Sequence, residues 1–488
     1  MPAIAGDWRM SADVLVVGAG VAGLRCALAL ADAGLRVTVL EATAHAGGRA
    51  GSWADEDTAL QVDTGPHVVS SEHRNFLAML ERLGQADQIQ WQPTPVITLL
   101  DSRGVLRMPR WRLPPPLHGV PLLPRALTRL SLADVLSHTR IALKAARLDE
   151  ASTLEFDHED AAGLLRAMGV RPRAIEWFWR SALLALLNVP LEQCSGAAAM
   201  RVFRLMLGRS GWHFGFPKLS LAQLYVPGCC RAVLRSGGQV LFGARVRSLR
   251  LEEGRFTGIE TEDGHVQAAR RCVLALPPQD VAALASPEPE LQGLATAARY
   301  FRPSPYQSTY VWFDRPVTSE RFWARTWSPQ NLNTDFYDLA NFRPGLAGHG
   351  SVIASNAIGP QVRADWSDER IVEQTMREIE QFAPEARQAR VLHTRVHRVP
   401  MAVPQPRPGT EALRPRAETA VGGLWIAGDW TATALPCSME SAARSGALAA
   451  ESVLEDLGRG RPRIAIDAPE TGGLVGLLRR DRAVSSAP

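Results

Sequence analysis

Three glycines and two charged residues near the N-terminus are spaced for phosphate chemistry. Gly18-Ala19-Gly20-Val21-Ala22-Gly23 is a G-x-G-x-x-G run. Gly18 would make a tight turn, Gly20 would let a pyrophosphate approach the backbone, and Gly23 would let a helix pack closely on a strand. Glu41 stands eighteen residues beyond Gly23, where an acid accepts both hydroxyls of an adenosine ribose. Six residues after Glu41 comes Gly47-Gly48-Arg49, a turn whose guanidinium is a bidentate donor for a diphosphate. Dinucleotide binding is the chemistry these residues suit. Their spacing alone leaves the dinucleotide open.

The flanking elements have to position those groups. Asp13-Val14-Leu15-Val16-Val17 reads as a buried parallel strand. Leu24 to Ala33 is rich in Ala and Leu and reads as a helix, which Gly34 ends. Leu35 to Leu40 is a second strand that delivers Glu41 at its end. The phosphates would then sit on free N–H groups at the helix N-terminus.

Composition sets bounds. At 488 residues with 46% hydrophobic content, the chain can bury a sizeable core in two domains. A formal charge of +4 gives no argument for nucleic acid, and the only lysines are Lys144 and Lys218. Six cysteines show no redox or metal-ligand spacing, so no metal site is expected. No signal peptide and no run of ~18 apolar residues is present, so the expectation is a cytoplasmic protein in a reducing compartment.

Further on, 75–83 reads as a helix and 93–107 as two short strands. The stretch 107–130 interleaves six prolines with Arg107, Arg110, Arg112, Arg125, Arg129, Trp111, Leu113, Leu117, Leu122 and Leu123. Proline forbids one continuous helix, leaving a cationic, greasy loop that suits an anionic bilayer surface or packs as a connection. Helices are expected over 132–148, 153–168, 173–188 and 197–207. The third is apolar nearly all round, so it is buried or lines an apolar cavity. An aromatic loop over 212–221 surrounds Lys218, and Pro227-Gly228 opens a helix to Leu234. Strands follow at 239–242, 245–251, 256–261 and 266–268, then at 306–313, 336–339 and 351–355, with a helix over 368–382. Leu424 to Trp430 is a strand ending in Gly428-Asp429, and Ser438 starts a helix.

These motifs resemble the flavin amine oxidase and phytoene desaturase superfamily, in which E-x5-G-G-R follows the Rossmann fingerprint. There the segment matching Asp63-Thr64-Gly65-Pro66-His67 passes close to the flavin. The resemblance implies an α/β fold: a Rossmann-type FAD-binding domain with a discontinuous α+β substrate domain. It implies FAD held by Gly18, Gly20, Val21, Ala22, Gly23, Glu41, Ala42, Gly48, Arg49, Gly65, Pro66, His67, Val246, Gly428, Asp429, Ser438 and Met439. In that scheme the Val246 backbone meets adenine, Asp429 faces the ribityl–pyrophosphate linkage, and the helix N-terminus at Ser438-Met439 points at the flavin ring. His67 is the candidate catalytic acid or base. The FAD domain is expected over 11–95, 225–290 and 416–457, the substrate domain over 96–224 and 291–415, and a basic, partly disordered tail over 458–488.

Within the superfamily, 12–457 is similar to the hydroxysqualene dehydroxylase family, also called squalene-associated FAD-dependent desaturases. The matching segments are 63–67, Leu113-Pro114-Pro115-Pro116-Leu117, Trp179 through Pro190, and 428–436. Thr64 and Pro66 depart from its usual Asn and Gln, and Cys437-Ser438-Met439-Glu440 leans toward plant-type carotene desaturases. The implied reaction is reductive removal of an allylic hydroxyl from a polyisoprenoid, with carotenoid desaturation as the alternative. An amine oxidase would want a lysine near the flavin, for which Lys218 is the candidate, and a non-catalytic prenyl-binding relative would not need the full flavin set. The implied partners are a polyisoprenoid lipid, the inner membrane surface as a peripheral contact, and an electron donor or acceptor.

Overall fold

The computed structural model describes residues 12–109, 113, 117–207, 213–467 and 475. Five parallel strands form the first sheet, in the order Gln239–Phe242, Val37–Glu41, Val14–Val17, Cys272–Leu274 and Leu424–Ile426. Alternation along the central strand sends Val14 and Val16 to one face and Leu15 and Val17 to the other. The first face is covered by helices Val21–Asp32, Leu221–Arg235 and Met439–Asp456. The second is covered by the antiparallel meander of Val246–Glu252, Arg255–Thr261 and Val266–Ala268 and by helices Pro278–Ala285 and Gln292–Tyr300. Each fully buried Val or Leu here contributes about 1.5–3 kcal/mol. The cluster on this second face also takes in Leu291, Ala295, Ala298 and Phe301.

A seven-stranded sheet builds the second region, in the order Val391–Pro404, Pro303–Phe313, Val352–Ile358, Asp335–Asp338, Phe322–Arg325, Ile97–Asp101 and Gly104–Met108. Its pairs are antiparallel except Phe322–Arg325 with Ile97–Asp101. Helix Asp368–Phe382 lies where its amphipathic pattern puts it, and a separate helical core gathers residues from 130 to 203.

Several elements differ from the sequence expectations. The helix expected over 173–188 is interrupted by a π turn, Ile175–Trp179, before Arg180–Leu187. The one expected over 153–168 is two, Glu150–Leu154 and Ala161–Ala167, because Asp149 and Asp160 each accept a first-turn N–H as caps. The aromatic loop contains a strand, Phe214–Pro217, between Val69–Ser70 and Ile89–Trp91. Gly215 permits this, since a Cβ there would meet Ile89 at 2.5 Å. The following helix starts at Leu221 and carries Pro227 inside it, at the cost of one ladder bond.

The stretch after 116 is a 3-10 turn, Leu117–Leu122, running into a short helix, Leu123–Ala126. Trp111, Arg110 and Arg112 lie outside the described residues. Arg107 pairs with Glu320 at 2.8 Å while staying exposed, and the largely buried Arg129 pairs with Asp101 at 2.6 Å. The first part of the tail is docked. Ile464 and Ala465 donate to Glu451, and Ile466 donates to Asn75. Residues 468–474 and 476–488 lie outside the described residues. Among the described residues no helix is long and apolar enough to cross a membrane.

Candidate functional site

A cavity of about 1050 Å³ runs from the first sheet's glycine turn into the helical region. Gly18, at φ +101°, turns the chain with its N–H on Leu40 O at 2.7 Å. A Cβ at Gly23 would meet Gly18 O at 1.9 Å, whereas one at Gly20 would meet nothing within 4 Å. Gly23 is thus a packing glycine behind the cavity, and Gly20 faces open space. The first intrahelical bond runs from Leu24 N–H to Gly20 C=O, so the N–H groups ahead of it lack helical acceptors. Every site residue expected from sequence lines the cavity except Gly23.

Glu41, at the end of its strand, is buried. Its Oε2 accepts from Ala19 N–H at 2.9 Å, and its Oε1 accepts from the N–H and hydroxyl of Thr43, both at 2.9 Å. It therefore pins the glycine turn while still facing the cavity. Arg49 is not poised as an isolated pyrophosphate donor. Its guanidinium meets Asp429 in a two-toothed pair, Nη2–Oδ1 2.6 Å and Nη1–Oδ2 3.1 Å, and gives Nη1 to Ala402 O at 3.0 Å. Burial alone would lower its pKa, but Asp429 beside it holds it above the ordinary value. The physical reason is charge: a cation drawn into a cavity wall needs a carboxylate.

Ser438 caps the helix Met439–Asp456, its side chain accepting Ser441 N–H at 3.2 Å. That helix can approach Val21–Asp32 because of Gly446, where a Cβ would meet Ala22 O at 2.2 Å. The result brings a second helix N-terminus, at Ser438-Met439-Glu440, to the same cavity. Glu440 itself is occupied, accepting Asn75 N–H, Asn75 Nδ2 and Phe76 N–H.

His67 has Nδ1 2.7 Å from Gly65 O. A carbonyl can only accept, so the proton sits on Nδ1 and Nε2 of the neutral ring is an acceptor. Burial pushes the imidazole below its usual pKa, against the pull of Gly65 and Asp63. His67 can accept a proton or hydrogen bond through Nε2, but this tautomer has no Nε2 proton to give.

The far arm of the cavity is apolar, walled by Trp177, Phe178, Leu186, Val202, Leu205, Met206 and Leu122. The π turn rotates Trp177 and Phe178 onto it, and Trp177 is fixed by its Nε1–H on Asp101 Oδ2 at 3.1 Å. Neither Lys144 nor Lys218 lines the cavity.

Sequence reasoning missed the polar wall supplied by the second sheet: Tyr306, Asp335, Tyr337 and Asn356. It also missed Arg343, which pairs with the fully buried Asp63; that carboxylate also accepts Ser52 Oγ–H at 2.6 Å and Leu221 N–H at 2.9 Å. The two acids that bracket Phe336-Tyr337 in the strand Asp335–Asp338 were the available signal, and the strand expected from 336 left Asp335 out.

A parallel sheet with a glycine turn, an acid at the end of its second strand and a chamber with an apolar arm is an arrangement suited to a dinucleotide beside an apolar ligand. Comparison with known proteins makes this specific: residues 21–454 match the model of the flavin containing amine oxidoreductases, and the chain belongs to that family. A flavin is accordingly its cofactor, and the open Gly20 face beside two helix N-termini fits one. The chain is 26% identical over 487 residues to the 15-cis-phytoene desaturase of Synechococcus elongatus, covering 93% of this chain and 100% of that one. It is 26% identical over 471 residues to the hydroxysqualene dehydroxylase of Sinorhizobium fredii, covering 92% and 99%. Among solved structures, cyclohexylamine oxidase from Brevibacterium oxydans has the same fold, with a TM-score of 0.69, 19% identity and coverage of 92% and 100%.

Proposed function

We propose that this chain is an FAD-dependent oxidoreductase that acts on a long polyisoprenoid, removing the allylic hydroxyl of hydroxysqualene to give squalene. The observation that carries the reading is the apolar arm of the cavity, which offers an extended hydrocarbon a dry channel and has no lysine on its wall. The near full-length similarity to a hydroxysqualene dehydroxylase supports it. Bound and reduced, FAD supplies the hydride that replaces the hydroxyl. The chain's own tasks are to hold the dinucleotide with Gly18–Gly23, Glu41, the Arg49–Asp429 pair and Val246, to exclude water from the apolar arm, and to protonate the departing oxygen. His67, as an acceptor, orients rather than protonates.

A second reading, desaturation of a phytoene-type carotene, is favoured by the similarity to phytoene desaturases. The same chamber suits it, with His67 Nε2 as a proton acceptor. Mass spectrometry of polyisoprenoids in cells given this chain with squalene-pathway or phytoene precursors distinguishes the two.

The substrate reaches the protein from a bilayer. Exposed Leu117, Leu123, Leu127, Leu132 and Leu136 cluster in the chain around Leu122, which lines the cavity. This face rests on the inner membrane surface as a peripheral contact, and a separate two-electron donor keeps the flavin reduced.

A further inference from the structure

The cavity holds one polar cluster that no motif announces. Asp335 and Asn356 face each other across the antiparallel pair Asp335–Asp338 and Val352–Ile358. Asn356 Nδ2 donates to Asp335 Oδ1 at 2.7 Å, and Asn356 Oδ1 accepts from the Tyr306 hydroxyl. Tyr306 lies directly on Gly65, where a Cβ would meet the ring at 2.4 Å. The carbonyl of Gly65 is the one that fixes His67. The chain of contacts therefore runs from the segment beside the flavin site to a carboxyl on the cavity wall.

Asp335 is buried, and its Oδ2 has no hydrogen-bond partner among the described residues. A charged carboxylate so placed is costly, which favours the neutral acid. Burial pushes Asp335 up to about 7, with Asn356 pulling the other way. The groups around it do not supply a counter-charge. Tyr306 and Tyr337 are phenols held neutral by burial. Asp63 is paired with Arg343, and Arg325 on the adjoining strand gives its Nη2 to Asn331 and Gln381, with Glu378 close by.

We propose that Asp335 recognises the substrate's hydroxyl and supplies the proton on which it leaves, with Tyr306 as the second hydrogen-bond partner. The proposal rests on the reductive reading above. The proton passes from Asp335 to the hydroxyl oxygen, the allylic C–O bond breaks with its electron pair on oxygen, and water departs. The allylic carbon takes up a hydride, which reduced flavin would supply when bound, and Asp335 is reprotonated from solvent. Alcohol plus hydride plus proton gives hydrocarbon plus water.

The test uses full-length, flavin-loaded protein. In the oxidised state, which cannot reduce the alcohol, binding of hydroxysqualene and of squalene is read from tryptophan fluorescence. The wild type should prefer hydroxysqualene about tenfold, as one hydrogen bond of ~1–1.5 kcal/mol implies. Asp335→Leu should erase the preference with flavin content unchanged. In single turnovers of chemically reduced enzyme, the wild-type rate should fall as pH rises through about 7, where the acid is lost. Asp335→Asn should be at least ~100-fold slower and lack that pH dependence. Equal binding of the two lipids, or an unchanged preference in Asp335→Leu, overturns the recognition whether or not squalene forms. A wild-type rate and pH profile in Asp335→Asn overturns proton donation. An Asp335-dependent preference with no squalene formed supports the alcohol site and counts against the reductive reading.

Discussion

Arg49 and Asp429, 380 positions apart, close the cavity as a two-toothed ion pair, Nη2 lying 2.6 Å from Oδ1. Asp429 is almost wholly buried, while Arg49 keeps part of its surface on the cavity. The pair ties the loop after the first strand–helix–strand unit to the turn that follows the last strand of the sheet, Leu424–Ile426. Arg49→Ala leaves Asp429 buried without a partner, and Asp429→Asn removes the charge while keeping the shape. Removing Arg49 should therefore cost more, by about 1.5–3 kcal/mol, in both flavin retention and unfolding free energy. Denaturant unfolding with the visible flavin absorbance of each purified variant checks this. Equal losses in the two variants would contradict it.

Glu41 has two duties that different substitutions separate. Its oxygens hold Ala19 and Thr43, and the residue lines the cavity. Glu41→Gln keeps one acceptor oxygen and should retain the fold while binding flavin more weakly. Glu41→Ala should lose both, leaving two backbone N–H groups unsatisfied at roughly 1–3 kcal/mol each. Flavin content and melting temperature, measured side by side, report the split.

Gly65 is small because Tyr306 occupies the place of its side chain. Gly65→Ala should lose flavin and turnover. Adding Tyr306→Ala should restore folding and flavin content but not turnover, if the phenol also serves the substrate. A Gly65→Ala protein with full flavin content would show that the two segments yield freely.

Membrane contact should depend on exposed leucines outside the core. Leu132 and Leu136, 61% and 59% exposed, sit on one short helix. Leu132→Glu with Leu136→Glu should reduce flotation with anionic vesicles at least ~10-fold, since each leucine inserted contributes ~1.5–3 kcal/mol. Flavin content should stay unchanged. Undiminished flotation would mean that this face does not meet the bilayer.

The local cofactor grammar was legible in the sequence because each of its parts has a short-range physical signature. A strand, a glycine turn, a helix and an acid in register leave few alternatives, and Gly18, Gly20 and Glu41 stand where their spacing puts them. What was not legible arises from pairing over long sequence distances. Arg49 reads as a lone cation, and its ion pair with Asp429, 380 positions on, has no signature in the spacing. Asp335 reads as the polar edge of a strand until Asn356 and Tyr306 arrive from neighbouring strands. The π turn at Ile175–Trp179 has no sequence signal in a run that is apolar nearly all round, yet Trp177 and Phe178 within it wall the chamber.

The most direct measurement supplies purified, chemically reduced enzyme with hydroxysqualene in the absence of oxygen and, in parallel, oxidised enzyme with phytoene. Products of both are read by mass spectrometry. Squalene formed in one equivalent per reduced flavin, with phytoene unchanged, is the result expected. New conjugated double bonds in the second reaction and no squalene in the first would contradict the dehydroxylase reading and assign the chamber to carotene desaturation.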